Sequence, residues 1–251
     1  MPEPALHASG LGKRFGGLVA VDGVELELFR GEINAVIGPN GAGKSTLLAM
    51  LAGDLVPSAG RVALGVRDIT QMSVEARTRL GIGRTYQRSA VIPGFAAIDM
   101  VRLAALTRAS SALGWLSPLG ANPAATAAAH AALARVGLDE RALTPTDVLS
   151  HGEKRRLEIA AVLALEPHIL LFDEPLAGLG IDESRQVVAL IESLKASCAI
   201  LLVEHDIDAV FAVADRITVL NNGRILETGA PDAVRRSPAV QQAYLGEETA
   251  P

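Results

Sequence analysis

Cysteine is almost missing from this chain of 251 residues: Cys198 is the only one. That excludes an intramolecular disulfide and a cysteine-based zinc cluster. Cys198 lies inside the apolar stretch SCAILLV and reads as a small core residue. Long apolar runs are missing too, since none reaches the roughly 18 residues that a membrane-crossing helix requires. The opening residues, MPEPALHASG, have neither the charged start nor the apolar stretch of a signal peptide. The expectation is a soluble, cytosolic chain that meets a membrane only through a partner. Concentrated positive charge is absent as well. Net charge is −5, and KRR at 154–156 is the only tight basic run. It reads as a solvated helix face, and no nucleic acid is expected as a partner. There is no internal repeat.

What is present is apolar material, 49% of the residues, enough at this length for one large α/β domain or two small lobes. VELEL, Val24 to Leu28, alternates apolar and acidic side chains, which fits a half-buried antiparallel strand with Val24, Leu26 and Leu28 inward. INAVIG is instead a nearly continuous apolar run, as in a strand buried on both faces, and the helix former TLLAMLA follows a short glycine-rich turn. HILLF and AILLV are two more buried-strand runs. Helical spacing from Glu183 to Leu194 between them implies a parallel sheet with crossover helices. In ITVLNNGRILE, Asn222 and Gly223 separate two strand-like runs, a type I′ hairpin signal. From about 88 to 165 the sequence is Ala-rich and helical, with no convincing strand, and is punctuated by ALGWLSPLGANP. It reads as a helical lobe inserted into the core, with Trp115 as a packing anchor.

Gly38 to Thr46 spells GPNGAGKST, the G-x-x-x-x-G-K-[ST] phosphate loop, after a buried strand and opening a helix. In that context backbone amides wrap a β-phosphate, Lys44 reaches the β- and γ-phosphates, and Ser45 offers a hydroxyl to Mg²⁺. HILLFDEP ends a buried strand in two carboxylates at the same sheet edge. Beside a phosphate loop, Asp173 would hold Mg²⁺, mostly through water, and Glu174 would be the general base or water-positioner; without the loop, DEP would only end a strand. His205, in VEHD, is either a structural histidine or, at this edge, a group that bonds the γ-phosphate or braces Glu174. Gln87, in GRTYQRS, reads by itself as a solvated side chain.

LSHGEKRRLEIA, Leu149 to Ala160, opens a helix. Ser150 and Glu153 have the spacing of a capping box. Gly152 lowers helix propensity by about 1 kcal/mol relative to Ala but lets another molecule approach the backbone. A plain capped helix and an anion seat at a helix start both fit.

Taken in order, GPNGAGKST, Gln87, LSHGE, LLFDEP and the histidine of VEHD resemble the ATPase subunits of ABC transporters over nearly the whole chain. FGGLVAVDGV, GIGRTYQ, LSHGEKRRLEIA and the tail AYLGE look most like the ATP-binding subunits of branched-chain and other hydrophobic amino acid importers; LSHGE is also similar to their urea-importer relatives. The resemblance implies an α/β P-loop NTPase fold of the ABC ATPase type, with a mainly parallel core sheet, an antiparallel β subdomain and an inserted helical lobe. Within one domain spanning 1–251, residues 1–87 would form the β subdomain and the first part of the core. Residues 88–165 would form the helical lobe, and 166–251 the rest of the core with a terminal hairpin and helix.

It also implies two ATPase subunits, identical or different, meeting head to tail on ATP and Mg²⁺. The nucleotide would be held by Phe15 stacked on adenine with Val21 beside it, and by Gly38, Pro39, Asn40, Gly41, Ala42, Gly43, Lys44, Ser45 and Thr46. The opposite subunit would add Ser150, Gly152 and Glu153, whose helix start receives the γ-phosphate in trans. Ser45, Gln87 and Asp173 would serve the metal, and Glu174, His205 and Gln87 the hydrolysis. Gln87 would also link the site to integral membrane permease subunits at the cytoplasmic face of the inner membrane, with an extracytoplasmic solute-binding protein acting through the permease. Alternatives are a urea or amide importer, a lipopolysaccharide-type lipid exporter, and a soluble ABC protein outside transport. The last would carry a long coiled-coil insertion or a second phosphate loop, and neither is present. Two departures from the family pattern stand out: His151 where glycine is common, and Gly180 where aspartate is common, with Asp182 two residues on as a candidate substitute.

Overall fold

The computed structural model describes residues 3–87, 91–109 and 119–245. Trp115 and the last two residues of AYLGE lie outside that set. Strand β1 (Leu6–Phe15) pairs antiparallel with β2 (Leu18–Leu28), which buries Val24, Leu26 and Leu28 as their alternation demands. Strand β3 (Ile33–Ile37) is buried along its whole length and leads through the glycine-rich turn into helix α1 (Lys44–Ala52). Strands β4 (Ala59–Leu64) and β5 (Arg67–Asp68) return to the first sheet, whose order is β2-β1-β4-β5. Helix α2 (Val74–Arg79) then delivers β6 (Ile82–Arg84) to a second sheet.

Helices α3 (Ala97–Ala109), α4 (Pro123–Arg135) and α5 (His151–Leu163) follow, and the described residues from 91 to 163 hold no strand beyond one isolated bridge, Ala96 with Pro145. The buried face of α4 is Ala125, Ala129, Ala132 and Leu133. Strand β7 (Ile169–Asp173), helix α6 (Ile181–Leu194), strand β8 (Ala199–Val203), helix α7 (Ile207–Val213) and strand β9 (Arg216–Asn221) continue the second sheet. Strand β10 (Arg224–Gly229), helix α8 (Pro231–Arg236) and helix α9 (Pro238–Leu245) close the chain. The order is β10-β9-β3-β8-β7-β6, parallel except for the β9–β10 hairpin. Asn222 (φ 48°) and Gly223 (φ 78°) both take the left-handed conformation that a type I′ turn needs.

The central strands bury both faces because each faces a different core. Leu170, Phe172, Ile200 and Leu202 join α3, α5 and α6 on one side. Leu171, Leu201 and Val203 join α1 and the antiparallel sheet on the other. Helix α6 turns Val187, Leu190, Ile191 and Leu194 inward, the i, i+3, i+4, i+7 stripe of a crossover helix. Arg77 is almost wholly buried and donates to the carbonyls of Met50, Leu51, Thr70 and Met72, capping the end of α1.

Candidate functional site

Strands β3, β7 and β8 end at one edge of the parallel sheet, with Asp173 opposite Val203 and Val203 opposite Val36. In open α/β sheets that edge is where ligands bind. The phosphate loop leaves β3 under tight backbone contact. A Cβ at Gly38 would sit 2.0 Å from the Leu220 carbonyl oxygen, and one at Gly43 2.4 Å from that of Ala20, so both positions demand glycine. The β9–β10 turn supports the loop from below, since the Gly223 amide donates to the Ala42 carbonyl at 2.9 Å. Lys44 is the first residue of α1 and is buried; its ammonium donates to the carbonyls of Gly38 and Pro39, the latter at 2.9 Å. Ser45 and Thr46 complete the first turn, with Ser45 exposed; Asn40 and Gly41 are exposed at the crest. Val21 is buried under the loop, its methyl 3.3 Å from where a Gly43 Cβ would be. Phe15 stands half-exposed at the end of β1, with the Lys13 ammonium 5.3 Å from its ring centre.

Asp173 is buried and accepts from Arg84 Nη2 at 2.8 Å. Arg84 also pairs with Asp54 and lies 4.7 Å from the Tyr86 ring, and Tyr86 donates its hydroxyl to Asp54. Glu174 follows in a left-handed conformation, φ 46°, uncommon for a side chain of this kind and held by its surroundings. Its amide donates to Val203 O at 2.9 Å, and its carbonyl accepts from Arg155 Nη2 at 3.2 Å. This twist carries the carboxylate to Gln87, whose Nε2 donates to Glu174 Oε2 at 2.7 Å. His205 Nδ1 lies 4.0 Å from the same oxygen. Gln87, Glu174 and His205 therefore converge on one point. Behind them Glu204 is fully buried, accepting from the amides of Leu176 and His205. Burial pushes its carboxyl above the ordinary carboxylate value, and those amides pull it back only in part.

The reading of KRR as a solvated face is corrected for Arg155. Its guanidinium is buried, donating to the Tyr86 carbonyl and to Glu158 at 2.9 Å each as well as to Glu174. Residue 155 lies on the same face of α5 as Gly152 and Ile159, at i±3 and i±4, and that face packs inward. One side chain thus ties α5 to the residue preceding Gln87 and to Glu174. Arg84, Arg155 and Glu204 carry no motif of their own. Their only signal in the sequence is adjacency, each lying within a few residues of Gln87, Gly152 or His205.

Ser150, Gly152 and Glu153 form a second cluster at the start of α5. The capping box is complete: the Ser150 amide donates to Glu153 Oε2 at 2.8 Å and the Glu153 amide to Ser150 Oγ at 3.2 Å. Arg141 braces Glu153 from outside at 3.1 Å. Glu183, from the first turn of α6, accepts from both the Gly152 amide (2.9 Å) and the Ser150 hydroxyl (3.1 Å). These donors, led by the Gly152 amide, hold its carboxyl below the ordinary value.

The donor set suits a metal carried by phosphates. Among the described residues no three of His, Cys, Asp and Glu gather as a cage, whereas Mg²⁺ on a nucleotide needs only one or two protein oxygens such as Ser45 and Asp173. The glycine-only contacts at positions 38 and 43 keep the loop backbone close-wound, as a phosphate cradle requires. A cavity of about 590 Å³ lies away from this edge, between α2, the end of α3 and the turn before β7.

A family profile described as ABC transporter matches residues 21–177, and one described as branched-chain amino acid ATP-binding cassette transporter matches 224–250. The high-affinity branched-chain amino acid transport ATP-binding protein LivG of Salmonella typhimurium is 38% identical, covering 98% of this chain and all of its own length. Its counterpart BraF of Pseudomonas aeruginosa is 37% identical with the same coverage. An ATP-binding cassette of an ABC transporter, solved in its ADP conformation, superimposes with a TM-score of 0.89 at 27% identity, covering 98% of this chain and all of that one.

Proposed function

The chain belongs to the ABC transporter ATP-binding family, and on that premise we propose that it hydrolyses Mg-ATP as a head-to-tail dimer to import branched-chain or other hydrophobic amino acids through membrane permease subunits. The observation that carries the hydrolytic part is the 2.7 Å bond from Gln87 to Glu174 at the sheet edge that also presents the phosphate loop. Loop amides and Lys44 hold the β- and γ-phosphates, and Phe15 offers a half-exposed ring to the adenine. Ser45 and Asp173 would hold a Mg²⁺ ion, which would supply charge neutralisation to the phosphates. Glu174 orients the attacking water and takes its proton at a carboxylate oxygen. Gln87 fixes that oxygen, and His205 lies near enough to brace it. Ser150, Gly152 and the start of α5 receive the γ-phosphate bound to the partner subunit.

The permease contact would use an apolar groove of about 200 Å³ lined by Tyr86, which precedes Gln87, and by Met100, Ala104, Ala161 and Val162. Among the described residues no helix is long and apolar enough to cross a membrane. Attachment to the cytoplasmic face would run through that groove, with a solute-binding protein acting on the far side of the permease. The solute class rests on the names of the relatives. Two experiments test this reading. Glu174→Gln should stop hydrolysis but keep ATP and accumulate a dimer in sedimentation. Cells deprived of the chain should lose uptake of labelled leucine; intact leucine uptake with lost urea uptake would move the assignment to urea.

A further inference from the structure

The donors that the proposed trans γ-phosphate needs are already engaged within the chain. Glu183 Oε1 accepts from the Gly152 amide at 2.9 Å and the Ser150 hydroxyl at 3.1 Å, while Oε2 accepts from the Gly180 amide at 3.3 Å. The fit is close: a Cβ added at Gly152 would lie 2.7 Å from the Glu183 carboxyl carbon. Ser150 Oγ still accepts from the Glu153 amide, so its single proton is committed to Glu183. A carboxylate and a terminal phosphate cannot share one amide and one hydroxyl, because each proton serves one acceptor well and two anions at contact distance repel.

We propose that Glu183 acts as a built-in γ-phosphate surrogate: it holds the signature seat in the lone subunit and must leave when the partner's ATP arrives, so that it sets the nucleotide concentration at which the dimer closes. This rests on the trans-phosphate reading above. Glu183 belongs to the first turn of α6, and the segment from 175 to 180 joins that turn to Glu174. Its release therefore frees the chain just after the catalytic carboxylate that serves the other ATP. The arrival of nucleotide at one site is mechanically adjacent to the chemistry of the second.

The test uses the full chain in the Glu174→Gln background, with Mg-ATP and protein concentration titrated by sedimentation. Glu183→Ala clears the seat, and Glu183→Gln keeps the bonds but removes the charge. Removing a competing charge-assisted contact should lower the ATP midpoint for dimerisation roughly three- to tenfold for Ala and less for Gln. Binding of a fluorescent ATP analogue to the monomer's phosphate loop should not change, which a merely structural role for Glu183 would not separate. An unchanged or raised midpoint in both variants, with Ser150→Arg still abolishing the dimer, overturns the surrogate role alone. So does a failure of both variants to dimerise at any concentration reached. If Ser150→Arg leaves the dimer intact, the trans-phosphate reading itself fails and the surrogate with it.

Discussion

Replacing Arg155 by methionine removes a buried cation of similar length without leaving a large void. The guanidinium donates to Glu158 at 2.9 Å and to the carbonyls of Tyr86 and Glu174 at 2.9 and 3.2 Å. Glu158 is itself buried. Removing one partner of a buried pair costs about 3–5 kcal/mol, chiefly because the other charge stays behind. With a denaturant slope near 3 kcal/mol/M in urea, the midpoint of Arg155→Met should fall by about 1–1.7 M. Arg155→Lys keeps a cation for Glu158 but cannot fork to two carbonyls, so it should lose about 1.5–3 kcal/mol, the worth of one charge-assisted bond. The double variant Arg155→Met with Glu158→Met should recover part of the loss, since it removes the second charge of the pair as well. Urea unfolding followed by far-UV circular dichroism reads all three. A loss below about 1 kcal/mol for Arg155→Met, or a double variant no better than the single one, would refute the claim that the buried Arg155 side chain anchors α5 to the sheet edge.

Lys44→Ala should reduce ATP turnover roughly 10²–10⁴-fold, the value of charge-assisted bonds to two phosphates; wild-type-like turnover in folded protein would end the phosphate-loop assignment. Gly180 has φ −70° and ψ 167° at the start of α6, which any residue adopts, and a Cβ there meets only Glu183 Oε2 at 4.0 Å. Gly180→Asp should therefore fold normally and tighten the ATP-bound dimer of the Glu174→Gln protein by about 0.5–1.5 kcal/mol per subunit. Unchanged affinity there, together with marked weakening by Asp182→Ala, would give the role to Asp182, which is now exposed and paired with Arg185. Glu204 binds a proton more tightly in the folded chain than in the unfolded one. Its contribution to stability is thus complete below the ordinary carboxylate pKa and is lost as pH rises through the raised one. Glu204→Gln should flatten the fall in urea midpoint from pH 5 upward, and identical slopes in both proteins would exclude this carboxyl as the source.

Period and punctuation made the parallel core legible. INAVI, HILLF and AILLV are nearly continuous apolar runs because both faces are covered. The β1 strand was not legible. Its register with β2 shifts between Ala8 and Leu11 and again before Arg14, so the period-two pattern of LHASGLGKRF is broken by bulges that only pairing reveals. At the site, the loop lysine and the two strand-end carboxylates follow from type and position, because sheet topology alone brings them to one edge. Arg84, Arg155 and Glu183 do not. Arg84 reaches Asp54 and Asp173, 30 and 89 positions away, Glu183 reaches Gly152, 31 positions away, and Arg155 binds two main-chain carbonyls besides its neighbour Glu158; a local sequence pattern records none of the distant bonds.

The support under the phosphate loop sets an order of events during synthesis. The loop motif is complete by Thr46, yet its backbone rests against the Leu220 carbonyl and is tied to Gly223 through Ala42. A ribosome emits residues at about 5–20 per second, so a growing chain carries the recognisable nucleotide motif for many seconds before its floor exists. Strand β9, which bears that floor, is also the neighbour of β3 in the sheet. Nucleotide can therefore act as a folding cue only at the end of translation, and truncation before the β9–β10 hairpin should yield a chain that contains the whole motif and holds no nucleotide.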